Sequence, residues 1–284
     1  MKWTDDRSEN VDDRRGSGGG GGAIVGGGLG TLIIAAIIFF LGGDPSSLLS
    51  SGGGSSTPTE QRELNANELK IREFVEMVTA ENEQTWTKIF AENGMQYRPA
   101  IVVLFESTTQ SGCGTAEAAM GPFYCPADQK VYMDMSFFKE LQQRFGAQVT
   151  EFSIAYVMAH EMGHHVQTLL GTTQKVDALR RSGRYSEADL NRVSVATELQ
   201  ADFYAGVWAK QTDSREHILE PGDIESAIEA AEAVGDDNIQ KRSQGYVNQE
   251  SFTHGSSAQR KEWFMKGYNT GDIKQGDTFN QLLR

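Results

Sequence analysis

The chain has few cysteines and few histidines, two and five among 284 residues. Two thiols cannot form a four-ligand structural zinc site, and no histidine lies near Cys113 or Cys125 in sequence. A short-loop disulfide is the better reading of the pair, provided the domain sits in an oxidising compartment. Basic residues are also scarce: 26 Lys and Arg stand against 39 Asp and Glu, for a net charge of −13. That balance argues against nucleic acid as a partner, because phosphate binding needs a basic face. It favours solubility and says nothing about fold. The length allows one or two domains with a sizeable core.

Long apolar runs are missing except for one. Ala23–Leu41 holds no charged residue and ends in Leu32-Ile33-Ile34-Ala35-Ala36-Ile37-Ile38-Phe39-Phe40-Leu41. Nineteen uncharged residues just suffice to span a bilayer as a helix. A cleavable signal peptide is the rival reading, with Leu29–Leu41 as its apolar core, but no Ala-x-Ala type cleavage site follows. Lys2, Arg7, Arg14 and Arg15 precede the run, and the next basic residue after it is Arg62. The positive-inside rule then expects a cytoplasmic N-terminus and everything after Asp44 outside the inner membrane of a bacterial cell, in a periplasmic or extracellular position. The resulting division is a disordered polar tail at 1–22, a transmembrane helix at 23–43, a Ser/Gly-rich tether at 44–59 and a folded domain at 60–284.

Within that domain, the spacing of Leu64, Leu69, Ile71, Phe74, Val75, Val78, Trp86, Ile89 and Phe90 predicts one long or two broken helices, stopping at Asn93-Gly94. Ile101-Val102-Val103-Leu104-Phe105 reads as a buried strand. Gly112-Cys113-Gly114 reads as a loop. Gly121–Cys125 and Lys130–Asp134 flank Pro126-Ala127-Asp128-Gln129 as a hairpin. Pro122 lacks a ladder N–H, so its strand belongs at a sheet edge, where an extended peptide can be held by backbone hydrogen bonds. A hairpin pinned by Cys113–Cys125 for stability alone is equally consistent. Ser136–Phe145 is expected to be a short helix.

The centre of the chain is Ala159-His160-Glu161-Met162-Gly163-His164-His165, inside a helical run from Phe152 to Leu169. Residues four apart share a helix face, so His160 and His164 can bind one Zn²⁺ together. Glu161 leaves the helix about 100° away from His160. It is suited to accept a proton from an attacking water rather than to bind the metal. A catalytic zinc needs a third protein ligand and an open position. Glu198 is the candidate, on a second helix running from Ser186 to Lys210. Asp202 lies one turn further on and is placed to hold the far nitrogen of a ligand histidine. Ala201 and Ala205 on the same face are small enough for close helix approach. The pattern with a third histidine fails, since position 167 is Gln and position 170 is Leu. His165 points away from the ligand stripe and suits a structural hydrogen bond; His217 suits the surface. His254, in a loop before a helix capped by Ser256 or Ser257, is either an oxyanion donor or a turn residue.

Several segments together resemble the bacterial neutral zinc metallopeptidase family, of gluzincin type with two His and one Glu. They are Cys113-Gly114, Met120–Pro126, Asp128–Tyr132, His160–Gln167, Glu198–Asp202 and Ser251–Arg260. The resemblance implies an α+β, mainly helical, zincin-like fold with a small mixed sheet, one Zn²⁺ and hydrolysis of peptides. It implies no particular substrate. Two other readings stay open: a catalytically silent zinc-containing envelope protein that binds a partner peptide, and a hydrolase of non-peptide amides. Glu161 argues against the first, because binding zinc does not require it.

Overall fold

The computed structural model describes residues 1–16, 62–138 and 149–283. Helix α1 spans Ala66–Glu92 without a break. Asn65 caps it by accepting from the N–H groups of Asn67 and Glu68, and Glu68 closes the reciprocal capping box. Asn93 ends the helix as the sequence suggests, and Gly94 follows at φ +71°. The strands are β1 (Val11–Asp13), β2 (Ile101–Leu104), β3 (Thr108–Ser111), β4 (Gly114–Glu117), β5 (Phe123–Cys125) and β6 (Lys130–Met133). Four of them form a mixed sheet in the order β1-β2-β6-β5, with β1–β2 and β2–β6 parallel and β5–β6 antiparallel. The expected hairpin is present, and β5 is an edge strand.

Side chains of β2 alternate between two cores. Val102 and Leu104 face the helices with Val131, Met133, Phe152 and Tyr156. Val103 and Phe105 face the opposite side with Ala116, Cys125 and Tyr132. That second, smaller core lies beneath the β3–β4 hairpin, whose turn contains Gly112 and Cys113. Thr108–Ser111 is polar and carries no apolar alternation, so periodicity marks no strand before the loop expected at Gly112-Cys113-Gly114. Cys113 and Cys125 are disulfide-bonded, tying the hairpin turn to the edge strand.

Helices α2 (Glu151–Leu169), α3 (Thr172–Arg181), α4 (Glu187–Glu216), α5 (Asp223–Ala233), α6 (Asp236–Gln244), α7 (Ser257–Thr270) and α8 (Thr278–Leu282) complete the described fold. Ser186 and Ser256 cap α4 and α7 as expected. Residues 136–138 are helical, and 139–145, the remainder of the helix expected at Ser136–Phe145, lie outside the described residues. Helix α4 runs through the middle, and its neighbours approach at glycines. A Cβ on Gly163 of α2 would lie 3.0 Å from the Ala201 carbonyl oxygen. A Cβ on Gly206 would lie 2.0 Å from the Phe264 carbonyl oxygen, and one on Gly267 would lie 2.0 Å from that of Phe203. The α4–α7 crossing is therefore a backbone-to-backbone contact that no side chain can enter. Gly206→Ala is expected to cost about 3 kcal/mol, the upper end of ordinary overpacking. Calorimetry should show Tm lower by roughly 6–12 °C; an unchanged Tm would refute the close crossing.

The N-terminal expectation needs correction. Residues 1–16 are part of the fold rather than a disordered tail. β1 pairs with β2 through Val11↔Val102, Asp12↔Val103 and Asp13↔Leu104. Trp3 packs on Phe74 and its Nε1–H donates to Glu151 at 3.0 Å. Thr4 donates to Glu81 at 2.6 Å, and Ser8 and Asn10 donate to Glu83 at 2.7 and 2.8 Å. Composition misleads here because polar residues with specific partners and a free sheet edge can order without much apolar burial. The proposed span Ala23–Leu41 and the tether lie outside the described residues. No helix among the described residues is long and apolar enough to cross a membrane.

Candidate metal centre

Helix α2 presents His160 and His164 one turn apart, with ring centroids 4.9 Å from each other. Helix α4 meets it where Gly163 packs on Ala201, which brings Glu198 opposite both rings. His160 Nε2 is 3.3 Å from Glu198 Oε2, and His164 Nε2 is 3.6 Å from Oε1. A tetrahedral ion with bonds of about 2.0–2.1 Å separates its donors by about 3.3–3.4 Å. These three side chains are therefore spaced as zinc ligands are, and each offers one atom within 4.8 Å of the others. Two imidazole nitrogens and a carboxylate also suit zinc chemically.

The far nitrogens are held as a metal site requires. His160 Nδ1–H donates to Asp202 Oδ1 at 2.8 Å, so Nε2 is the nitrogen that faces Glu198. His164 Nδ1–H donates to Gln167 Oε1 at 2.9 Å. The Gln167 amide is itself oriented by donating to the Thr197 carbonyl at 2.7 Å. Gln167 sits in the motif, three residues after His164, yet sequence reasoning gave it no role; the i,i+3 spacing on a helix was the available signal.

Asp202 is fully buried and accepts four hydrogen bonds. Besides His160 they come from Tyr156 Oη at 2.5 Å and from Arg260 Nε and Nη2, both at 2.8 Å. Burial by itself would raise this carboxyl, but Arg260 and His160 hold it well below the ordinary carboxylate range. Arg260 reaches it from the first turn of α7, across the Gly206–Gly267 crossing.

Glu161 is buried beside the ligands without joining them. Its Oε2 accepts the backbone N–H of Tyr124 at 2.8 Å, so the carboxylate bridges α2 and the β5 edge. Burial raises its pKa, with His160 and His164 pulling the other way. His165 fastens the same strand: its Nε2–H donates to the Arg98 carbonyl at 2.6 Å while Tyr124 Oη–H donates to Nδ1 at 3.1 Å.

His254 lies in the loop before α7. The carboxylate of buried Asp236 accepts the backbone N–H groups of Thr253, His254 and Gly255 at 2.8, 2.6 and 2.9 Å, and its other oxygen faces His254 Nδ1 at 3.3 Å. Gly255, at φ +95°, allows that turn. Burial disfavours charge on His254, but Asp236, with Glu198 adding to it, raises its pKa above the ordinary histidine value. Asp236, at the start of α6, was not found in the sequence.

In the metal-free site burial also opposes charge on His160, yet Asp202 and Glu198 push its pKa up to about 10. The free site therefore holds at least one proton at neutral pH that an incoming cation must displace. Zinc affinity is expected to weaken about tenfold per pH unit for each proton released as pH falls from about 8 to about 6. Competition against a chromophoric chelator would measure this, and a pH-independent affinity would contradict it.

Comparison with known proteins gives relatives and a family. The chain is 43% identical over 222 residues to the uncharacterised Escherichia coli protein YpfJ, covering 78% of this chain and 76% of that one. It is 46% identical over 186 residues to the uncharacterised Mycobacterium tuberculosis protein Rv2575, covering 62% of this chain and 61% of the other. No solved structure matches. A family profile described as "Putative neutral zinc metallopeptidase" matches residues 1–279, and the chain belongs to that family.

Proposed function

We propose that this protein is a zinc-dependent endopeptidase that cleaves extended peptide segments and contacts a bilayer through Ala23–Leu41. The observation that carries the reading is the convergence of His160, His164 and Glu198 with Glu161 beside them and bonded to the Tyr124 N–H. His160, His164 and Glu198 would hold the zinc, which would supply Lewis acidity to lower the pKa of water to about 7 and polarise a carbonyl. Glu161 takes the proton from the attacking water and passes it to the leaving amine nitrogen. Its bond to Tyr124 N–H places the β5 edge next to that base. This edge is where an extended substrate lies alongside the sheet. Asp202 and Gln167 hold the imidazole tautomers.

His254, whose pKa Asp236 raises, donates to the oxyanion that forms on the substrate carbonyl. Removing one oxyanion donor typically costs about 10²–10³ in kcat. His254→Ala is expected to show that loss in steady-state kinetics with KM little changed. A rise in KM alone would remove His254 from the oxyanion role.

The class of activity is tested with the full chain, since residues 1–16 belong to the fold. It is incubated with an unfolded protein, with zinc and then with a chelator. Cleavage that disappears with chelator and returns with zinc supports the peptidase. A zinc-loaded protein that cleaves nothing overturns it.

A further inference from the structure

The sequence predicts that residues 1–22 and the domain after Asp44 lie on opposite sides of a membrane. In the structure their described parts are one folded unit. Strands β1 and β2 share a parallel ladder, with Val102 N–H donating to Asn10 O at 2.9 Å and Arg14 N–H to Leu104 O at 2.8 Å. Such strands sit about 4.8 Å apart, whereas a hydrocarbon core is about 30 Å thick. No chain can keep this ladder with a bilayer between its strands.

The segment's endpoints agree. Arg62 N–H donates to Gly16 O at 3.0 Å, and a Cβ on Gly16 would lie 2.6 Å from Arg62 O. The chain therefore leaves at 16 and returns at 62 in direct contact with its point of departure. Between Gly42 and Gln61 the sequence contains Asp44, Pro45, Pro58, Glu60 and many Ser and Gly, with no second apolar run for a return crossing.

Arg7, Arg14 and Arg15, three of the four basic residues that suggested a cytoplasmic N-terminus, also have structural partners. Arg15 is buried, pairs with Asp13 at 2.7 Å and donates to the Glu68 carbonyl at 2.9 Å. Arg14 pairs with Asp12 at 2.9 Å and donates to Thr109 at 3.0 Å. Arg7 donates to the carbonyls of Thr4 and Asp6 at 2.8 and 2.7 Å. The positive-inside rule counts charges flanking a span, and two of these, Arg14 and Arg15, are bonded to Thr109 and Glu68 of the domain that the rule would place across the membrane.

We infer that residues 1–16 and the domain from residue 62 onward occupy the same compartment.

Single-cysteine accessibility in the full chain tests this. Glu9 and Lys241 are exposed, outside the site, and one comes from each part. Cys113 and Cys125 are bonded to each other and leave no reactive thiol of their own. Glu9→Cys and Lys241→Cys are expressed separately in bacterial cells and treated with a membrane-impermeant maleimide, before and after permeabilisation. Both positions should label before permeabilisation, or both only after it. Labelling of one with protection of the other overturns the inference. Intact mass of the purified protein gives a second readout: residues 1–16 should be retained, and their removal from the mature chain overturns the inference as well. Neither readout depends on peptidase activity, so failure here is distinct from failure of the proposed function.

Discussion

Glu161→Gln should bind zinc as the parent does and lose about 10²–10⁴ of kcat, the usual contribution of a positioned acid–base group. The substitution is nearly isosteric, and its amide oxygen can still accept the Tyr124 N–H that the carboxylate accepts at 2.8 Å. The β5 edge and the ligand spacing therefore stay in place. What disappears is the ability to take a proton from water and return it to the leaving amine. Metal content and turnover must be read on the same preparation. Unchanged zinc with collapsed turnover identifies Glu161 as the base, and near-parental turnover removes it from the chemistry. Loss of both zinc and turnover would mean that Glu161 supports the metal site instead.

Asp202→Ala should have the largest effect on stability. It leaves the Arg260 guanidinium buried without its partner and removes acceptors from Tyr156 and His160. Breaking a buried ion pair from one side typically costs about 3–5 kcal/mol, which corresponds to a Tm lower by roughly 6–20 °C for a domain of this size. Loss of the histidine's orienting partner should weaken zinc binding by about 10–100-fold. The pH dependence follows from the sign of the shift. The folded-state carboxyl lies below its unfolded value, so its contribution is fully present above about pH 3.9 and is lost as pH falls through the folded value. The Tm difference between parent and variant should hold from neutral pH to about pH 5 and shrink only in strong acid. A difference that vanishes near neutrality would show that Asp202 is not the charged acceptor described. Removing Arg260 as well should cost less than the sum of the two single changes, because the second substitution eliminates the stranded charge.

Much of the site was legible because helix geometry is local. The spacing of His160, Glu161 and His164 fixes which side chains share a face, and a lone Glu198-x-x-x-Asp202 pair on a later helix supplies the missing ligand and its support. The hairpin, the edge position of β5 and the caps at Ser186 and Ser256 were legible for the same reason: each depends on residues a few positions apart.

Arg260, Asp236 and the docking of residues 1–16 were decided by tertiary structure. Arg260 meets Asp202 across 58 positions only because Gly206 and Gly267 let two helix backbones touch. Asp236 becomes the partner of His254 only when the loop before α7 folds back over the start of α6. The first sixteen residues look unstructured by composition, and they are ordered by a sheet edge and acidic side chains that lie far away in sequence. Local periodicity determines which face a residue occupies. What that face meets depends on long-range packing, and no spacing within the chain encodes it.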